Sequence, residues 1–219
     1  HYPRAYGLLA ALATPLVLSV HSVVSWDFAM AQVPGWHSTI FAPYFVAGAI
    51  FSGVALVINL LIPIRKVFKL EHIVTPDHIE KLSKLVLLTS TIVTYSYLVE
   101  IFCAWYGPSK HERDMFTWRF FGHFWWAGWT MATCNSFIPL LLWFKKVRRN
   151  MTVLFILCLF VNVGMWFERF VIIVSSLARP FDPAAWAINY RMSWTEAAIL
   201  AGSFAWFFMY FLLFIRVLP

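Results

Sequence analysis

The sequence predicts an all-α fold, an integral membrane bundle of six transmembrane helices. Three observations lead there. The 219 residues are 61% hydrophobic and only 12% charged, about half the charged share of an ordinary soluble domain. Mean hydropathy is +0.73. Six apolar segments each have the 18 or so residues that crossing a bilayer requires. A β-barrel would instead show strands of about ten residues with alternating polarity.

The segments run approximately 6–25, 39–63, 84–106, 117–143, 151–177 and 196–217. Pro15, Pro43 and Pro139 interrupt them singly. Pro139 lacks the N–H that would bond the carbonyl of Asn135, so a kink is expected there. In the connector before the third segment, TPDHIEKL reads as a helix start, with Thr75 as cap, Pro76 in first position and Asp77 in the first turn. The 111–114 stretch HERD reads as a solvated charged turn between the third and fourth segments.

Eleven Lys and Arg residues, among them Arg65, Lys66, Lys84, Lys145 and Arg149, fall at one end of the predicted bundle and five at the other. The positive-inside rule places the richer end, and both ends of this chain, in the cytoplasm. That topology accounts for the net charge of +7 without a nucleic-acid partner. Loops at 26–38, 107–116 and 178–195 then face the opposite side, and their Trp and Tyr residues suit an interfacial belt. Cys103, Cys134 and Cys158 lie in apolar runs at no metal-ligand spacing and read as packing residues; no metal site is expected. His21 and His123 offer too sparse a pair for haem. The chain starts at His1, almost directly into a span, which reads as a piece of a longer protein.

Ionisable side chains inside spans are costly and mark functional positions or interhelical pairs. His21 and Asp27 close the first span. They stand six apart, off one helical face, and converge only if the helix ends or unwinds near Ser25. Together an imidazole and a carboxylate can accept protons; as structural residues they would merely cap neighbouring elements. Trp26 and His37 flank them. Glu100 has Tyr97 and Ser96 one turn back on its own face. Glu168 and Arg169 point about 100° apart, so each needs a partner on another helix, with Glu100 and Asp27 as candidates. His123 opens the fourth span. Proton transfer through Tyr97, Glu100, His123, Glu168 and Arg169 stands against a purely structural bonding role.

The stretch VHSVVSWDFAMAQVPGWHSTIFAPYFVAGAIFSG, with YSYLVEIFCAWYG and WFERFVIIVSSL, resembles the NrfD/polysulfide-reductase-like family of quinone-interacting membrane subunits. Within it these motifs are most similar to the C-subunit branch of bacterial alternative complex III. The resemblance covers nearly the whole chain. It implies a four-helix bundle over 31–178, preceded at 1–30 by the last helix of another bundle and followed at 179–219 by an outer loop and a final helix. The family's ten spans would make these six its C-terminal portion. The resemblance further implies a bacterial inner-membrane subunit at which menaquinol is oxidised, with His21 and Asp27 as proton acceptors beside Trp26 and His37. It implies an iron–sulfur subunit on the periplasmic side, a second NrfD-like subunit and multihaem cytochromes as partners, together with lipid. The metal centres would belong to those partners and not to this chain. A structural anchor and a proton or ion transporter are the alternative readings, the latter weakened by the lack of matching broken helices in two halves.

Overall fold

A computed structural model describes residues 2–186 and 190–217, and those residues are helical throughout their regular structure. Two units are distinct, 1–186 and 187–219. The larger begins with α1 (Tyr2–Ala29), α2 (Phe41–Val67) and α3 (Pro76–Tyr106). It continues through α4 (Lys110–Phe121), α5 (Trp125–Ala132), α6 (Lys145–Arg149) and α7 (Met151–Phe170). The smaller unit is α8 (Trp194–Val217), whose start is closed by the Ser193 N–H donating to Glu196 Oε2 at 2.7 Å.

Five helices among the described residues are long and apolar enough to cross a membrane: α1, α2, α3, α7 with its terminal π-turn, and α8. The chain is a multi-pass membrane protein. The remaining expected span, 117–143, is not one helix. Its first residues belong to α4, which stops at Gly122, where an added Cβ would lie 2.3 Å from Trp118 Cδ1. Helix resumes at Trp125 as α5, widens into a π-turn over Thr133–Phe137 and tightens to 3₁₀ over Ile138–Trp143. Pro139 is the cause of the irregularity it sits in. The Asn135 carbonyl it leaves unbonded is taken by the Ser90 hydroxyl of α3 at 2.8 Å. The terminal carbonyls of Leu142 and Trp143 are taken by Arg148 Nη1 at 2.6 and 2.9 Å.

α2 is the central helix and packs against α1, α3 and α7. Its buried face carries Phe41, Ala47, Gly48, Phe51, Ala55 and Ile58, small residues alternating with large ones so that backbones approach closely. Val86 and Val93 of α3 and Leu154, Val161 and Met165 of α7 complete the core. α3 begins where the sequence predicts, at Pro76, and the Thr75 N–H donates to His78 Nδ1 at 3.3 Å. Its 31 residues make a rod of about 46 Å, longer than the hydrocarbon slab of roughly 30 Å. The surplus at its start carries Asp77 and Glu80 to the basic end, where Arg149 meets both.

Candidate functional site

Polar side chains from four stretches of chain meet inside the larger unit. Tyr97 of α3 donates its hydroxyl to Glu168 Oε2 of α7. Asn135 Nδ2, in the π-turn, donates to the Tyr97 oxygen at 2.9 Å and to Glu168 Oε2 at 3.3 Å. The Tyr44 ring of α2 packs edge-on against Tyr97 at 5.7 Å. Glu168 is fully buried. Its second oxygen, Oε1, has no hydrogen bond and stands 3.9 Å from Arg169 Nη2. Arg169 lays its guanidinium over the Phe45 ring, 4.5 Å from the centroid. Two glycines make the room. A Cβ on Gly164 would strike Asn135 Oδ1 at 2.3 Å, and one on Gly48 would crowd Met165, with Glu168 Oε1 beyond it at 3.9 Å.

Next to this cluster lies a cavity of about 430 Å³ between α3, α4, α5 and the two π-turns. Its inner wall holds Tyr44, Tyr97, Glu100 and Arg119. Its rim is formed by large apolar side chains that are exposed, including Leu98, Trp105, Phe121 and Phe137. Glu100 Oε1 is buried with no hydrogen-bond partner. Arg119 is 5% exposed and forms no ion pair among the described residues. Its Nε and Nη2 bond the hydroxyls of Ser175 and Ser176 at 3.1 and 2.6 Å. The Pro34–Gly35 turn closes over it. Gly35 has φ +79°, and a Cβ there would lie 2.7 Å from Arg119 Nη2, so this position needs glycine for conformation and for space. The Trp36 indole N–H then donates to the Ile172 carbonyl at 2.7 Å and pins the turn to the end of α7. An acceptor and a donor thus line one largely apolar cavity with an exposed apolar rim.

The residues singled out in the sequence fall into two sets. Tyr97, Glu100 and Glu168 come together, with Arg169 beside them. Tyr97 serves Glu168, however, and not the Glu100 of its own face. Glu100 is not the partner of Arg169, which pairs instead with its chain neighbour Glu168 because its long side chain reaches back across the turn; the cation acting on Glu100 is Arg119. The other set does not converge. α1 continues unbroken through Ala29, so His21 and Asp27 point about 120° apart around it. His21 Nδ1 lies 2.9 Å from the Val17 carbonyl of its own helix. Trp26, Asp27 and His37 are exposed, and His37 Nδ1 lies 3.1 Å from the Ala29 carbonyl. His123 is exposed in the turn between α4 and α5. None of these five residues lines the cavity. Arg119, Asn135 and Tyr44 went unrecognised in the sequence. Arg119 reads there as one of five outer cations, and only its place in the aromatic run FTWRFFG marks it as a candidate for burial.

The HERD stretch is the first turn of α4, capped by Ser109 Oγ accepting from the Glu112 N–H at 3.4 Å. The helix forms because Ser109 satisfies an end N–H and because Met115, Trp118 and Arg119 bury one side. Cys134 and Cys158 are buried free thiols; Cys103 is exposed on the apolar surface of α3.

The family model described as "Polysulphide reductase, NrfD" matches residues 2–180. No curated protein matches the chain.

Proposed function

Since the chain belongs to the NrfD polysulphide reductase family, membrane subunits of quinone-interacting oxidoreductase complexes, we propose that it is a quinol-oxidising subunit of the alternative complex III type. The cavity between α3, α4 and α5 takes the quinol head group. Glu100 accepts a hydroxyl proton and Arg119 donates to a ring oxygen, while the tail leaves over the apolar rim. Oxidation of one hydroquinone to the quinone releases two electrons and two protons. The electrons go to iron–sulfur and haem centres of partner subunits, and the protons go to carboxylates and water. This chain contributes position, hydrogen bonds and a dry wall; the redox chemistry is that of the quinone and the partners' metals.

A single observation carries the reading: a buried cation and a carboxylate with an unpartnered oxygen both line one apolar cavity and form no ion pair with each other. Buried charges left in this condition lose several kcal/mol of solvation unless a ligand or water satisfies them. The Tyr97–Asn135–Glu168–Arg169 cluster, one side chain away, extends the proton path into the bundle. The basic end faces the bacterial cytoplasm and the cavity end faces the periplasm, by the charge asymmetry. A second NrfD-like subunit, an iron–sulfur subunit and multihaem cytochromes complete the assembly.

The test uses the intact complex. A short-tailed naphthoquinone is titrated against Glu100→Gln, with binding followed by quenching of Trp105 and Trp129 fluorescence. Quinol oxidation by Glu100→Gln falls about 1,000-fold with assembly intact. Unchanged binding and turnover would leave only an anchor for the iron–sulfur subunit.

A further inference from the structure

A second cavity lies back to back with the first. It measures about 410 Å³ and is lined by His111 and Asp114 of α4, by Pro34 and by the 179–186 segment. Thr117 and Phe121 line both cavities. They are one turn apart on the same face of α4, so a single turn of helix is the partition. Of the two, Thr117 alone can form a hydrogen bond. Its hydroxyl donates to the Arg113 carbonyl at 2.9 Å, which leaves its lone pairs free to accept.

The second cavity differs in chemistry from the first. Its ionisable groups are His111, Asp114 and Arg179. Arg179 is held between the rings of Trp118 and Trp186, 4.6 Å from each centroid, and His111 stands edge-on to Phe181 at 5.6 Å. Neither His111 nor Asp114 forms an ion pair among the described residues, and both are exposed. At about 30 Å³ per molecule the cavity has space for several waters, with at least three polar groups to bind them.

We propose that α4 is a proton outlet, in which the Thr117 hydroxyl relays protons from the Glu100 cavity to water held by Asp114 and His111. The inference rests on Glu100 receiving protons from a bound quinol. To relay, the Thr117 hydroxyl turns from the Arg113 carbonyl to an outer water, passes its proton there and accepts one from the inner side, so the hydroxyl is regenerated and no net charge remains on it. Asp114 and His111 then exchange with bulk water. Phe121 stands at the exposed rim that the two cavities share.

Thr117 lies on the exposed side of α4, so substitutions there spare the core. In the intact complex, Thr117→Val removes the hydroxyl at nearly constant volume and Thr117→Ser keeps it. Steady-state oxidation of a short-tailed naphthoquinol is measured in H₂O and D₂O, and binding of the corresponding quinone is measured by Trp fluorescence. Thr117→Val is expected to slow turnover about 100-fold, to enlarge the solvent isotope effect and to leave quinone binding unchanged. Thr117→Ser is expected to restore both turnover and isotope effect, and Asp114→Asn with His111→Gln to slow proton release to the outer bulk in proteoliposomes. Wild-type turnover in Thr117→Val, or a Thr117→Ser as slow as the valine variant, overturns the outlet. If Glu100→Gln is inactive while Thr117→Val is normal, the outlet alone falls. If Glu100→Gln is also normal, the quinol cavity falls with it.

Discussion

Glu80 and Glu100 stand on the same helix, and their surroundings are opposite. Glu80, at the basic end, has both oxygens engaged: Oε2 with Arg149 at 2.8 Å, Oε1 with Lys84 at 3.5 Å and Arg148 at 3.7 Å. Arg148 in turn bonds two helix-end carbonyls. Arg148 and Arg149 tie this end of α3 to α6, which is what a structural clamp requires. Glu100, at the other end, has a buried oxygen with no partner among the described residues, and the cation nearest in effect, Arg119, is hydrogen-bonded to two serine hydroxyls and lies over the Phe116 ring. An unsatisfied pair beside a cavity is destabilising for the isolated chain and useful to a ligand. The same residue type therefore holds the fold together in one place and keeps a site open in the other.

Four substitutions sharpen that contrast, in descending order of effect. Glu100→Gln lowers quinol oxidation about 1,000-fold with assembly intact, as measured by turnover and by subunit composition of the purified complex. Next is Gly164→Ala, whose new Cβ meets Asn135 Oδ1 at 2.3 Å and Cys134 Cβ at 2.4 Å. Crowding of this kind costs about 1–3 kcal/mol, read as a lower thermal midpoint, and it displaces Asn135 from Glu168. A smaller loss follows from Ser90→Ala, which strands the Asn135 carbonyl freed by Pro139 and costs about 1 kcal/mol in the same melt. The least affected is Glu80→Gln, which lowers the midpoint by about 2 °C and leaves turnover unchanged. If Glu80→Gln instead matched Glu100→Gln in lost turnover, the division between clamp and site would be wrong.

Much of this was legible in the sequence. Long apolar runs and the TPDH start specify α2, α3 and α7, because the hydrophobic effect and end capping act locally. The helical count was harder. The 117–143 stretch is apolar enough to suggest one span, yet Gly122 and Pro139 divide it, and what happens at each break depends on distant partners, Trp118 and Ser90. The site was half legible. Glu100, Tyr97 and Glu168 stand out as polar residues in oily helices. Their pairing did not follow from helical phase, since Tyr97 bonds across to α7 and not along its own helix. Arg119 was hidden because its burial is produced by Ser175, Ser176 and the turn at Gly35, all far away in the chain. His21 and Asp27 depended on α1 breaking near Ser25, and the helix runs on past both.

The left-handed turn at Gly35 has one more implication. It presses on a guanidinium whose other contacts come from the far end of α7, so three stretches widely separated along the chain must be in place before the positive wall of the cavity exists. That wall is finished only in the fully assembled bundle, and a half-folded chain in the membrane presents no competent pocket to a ligand.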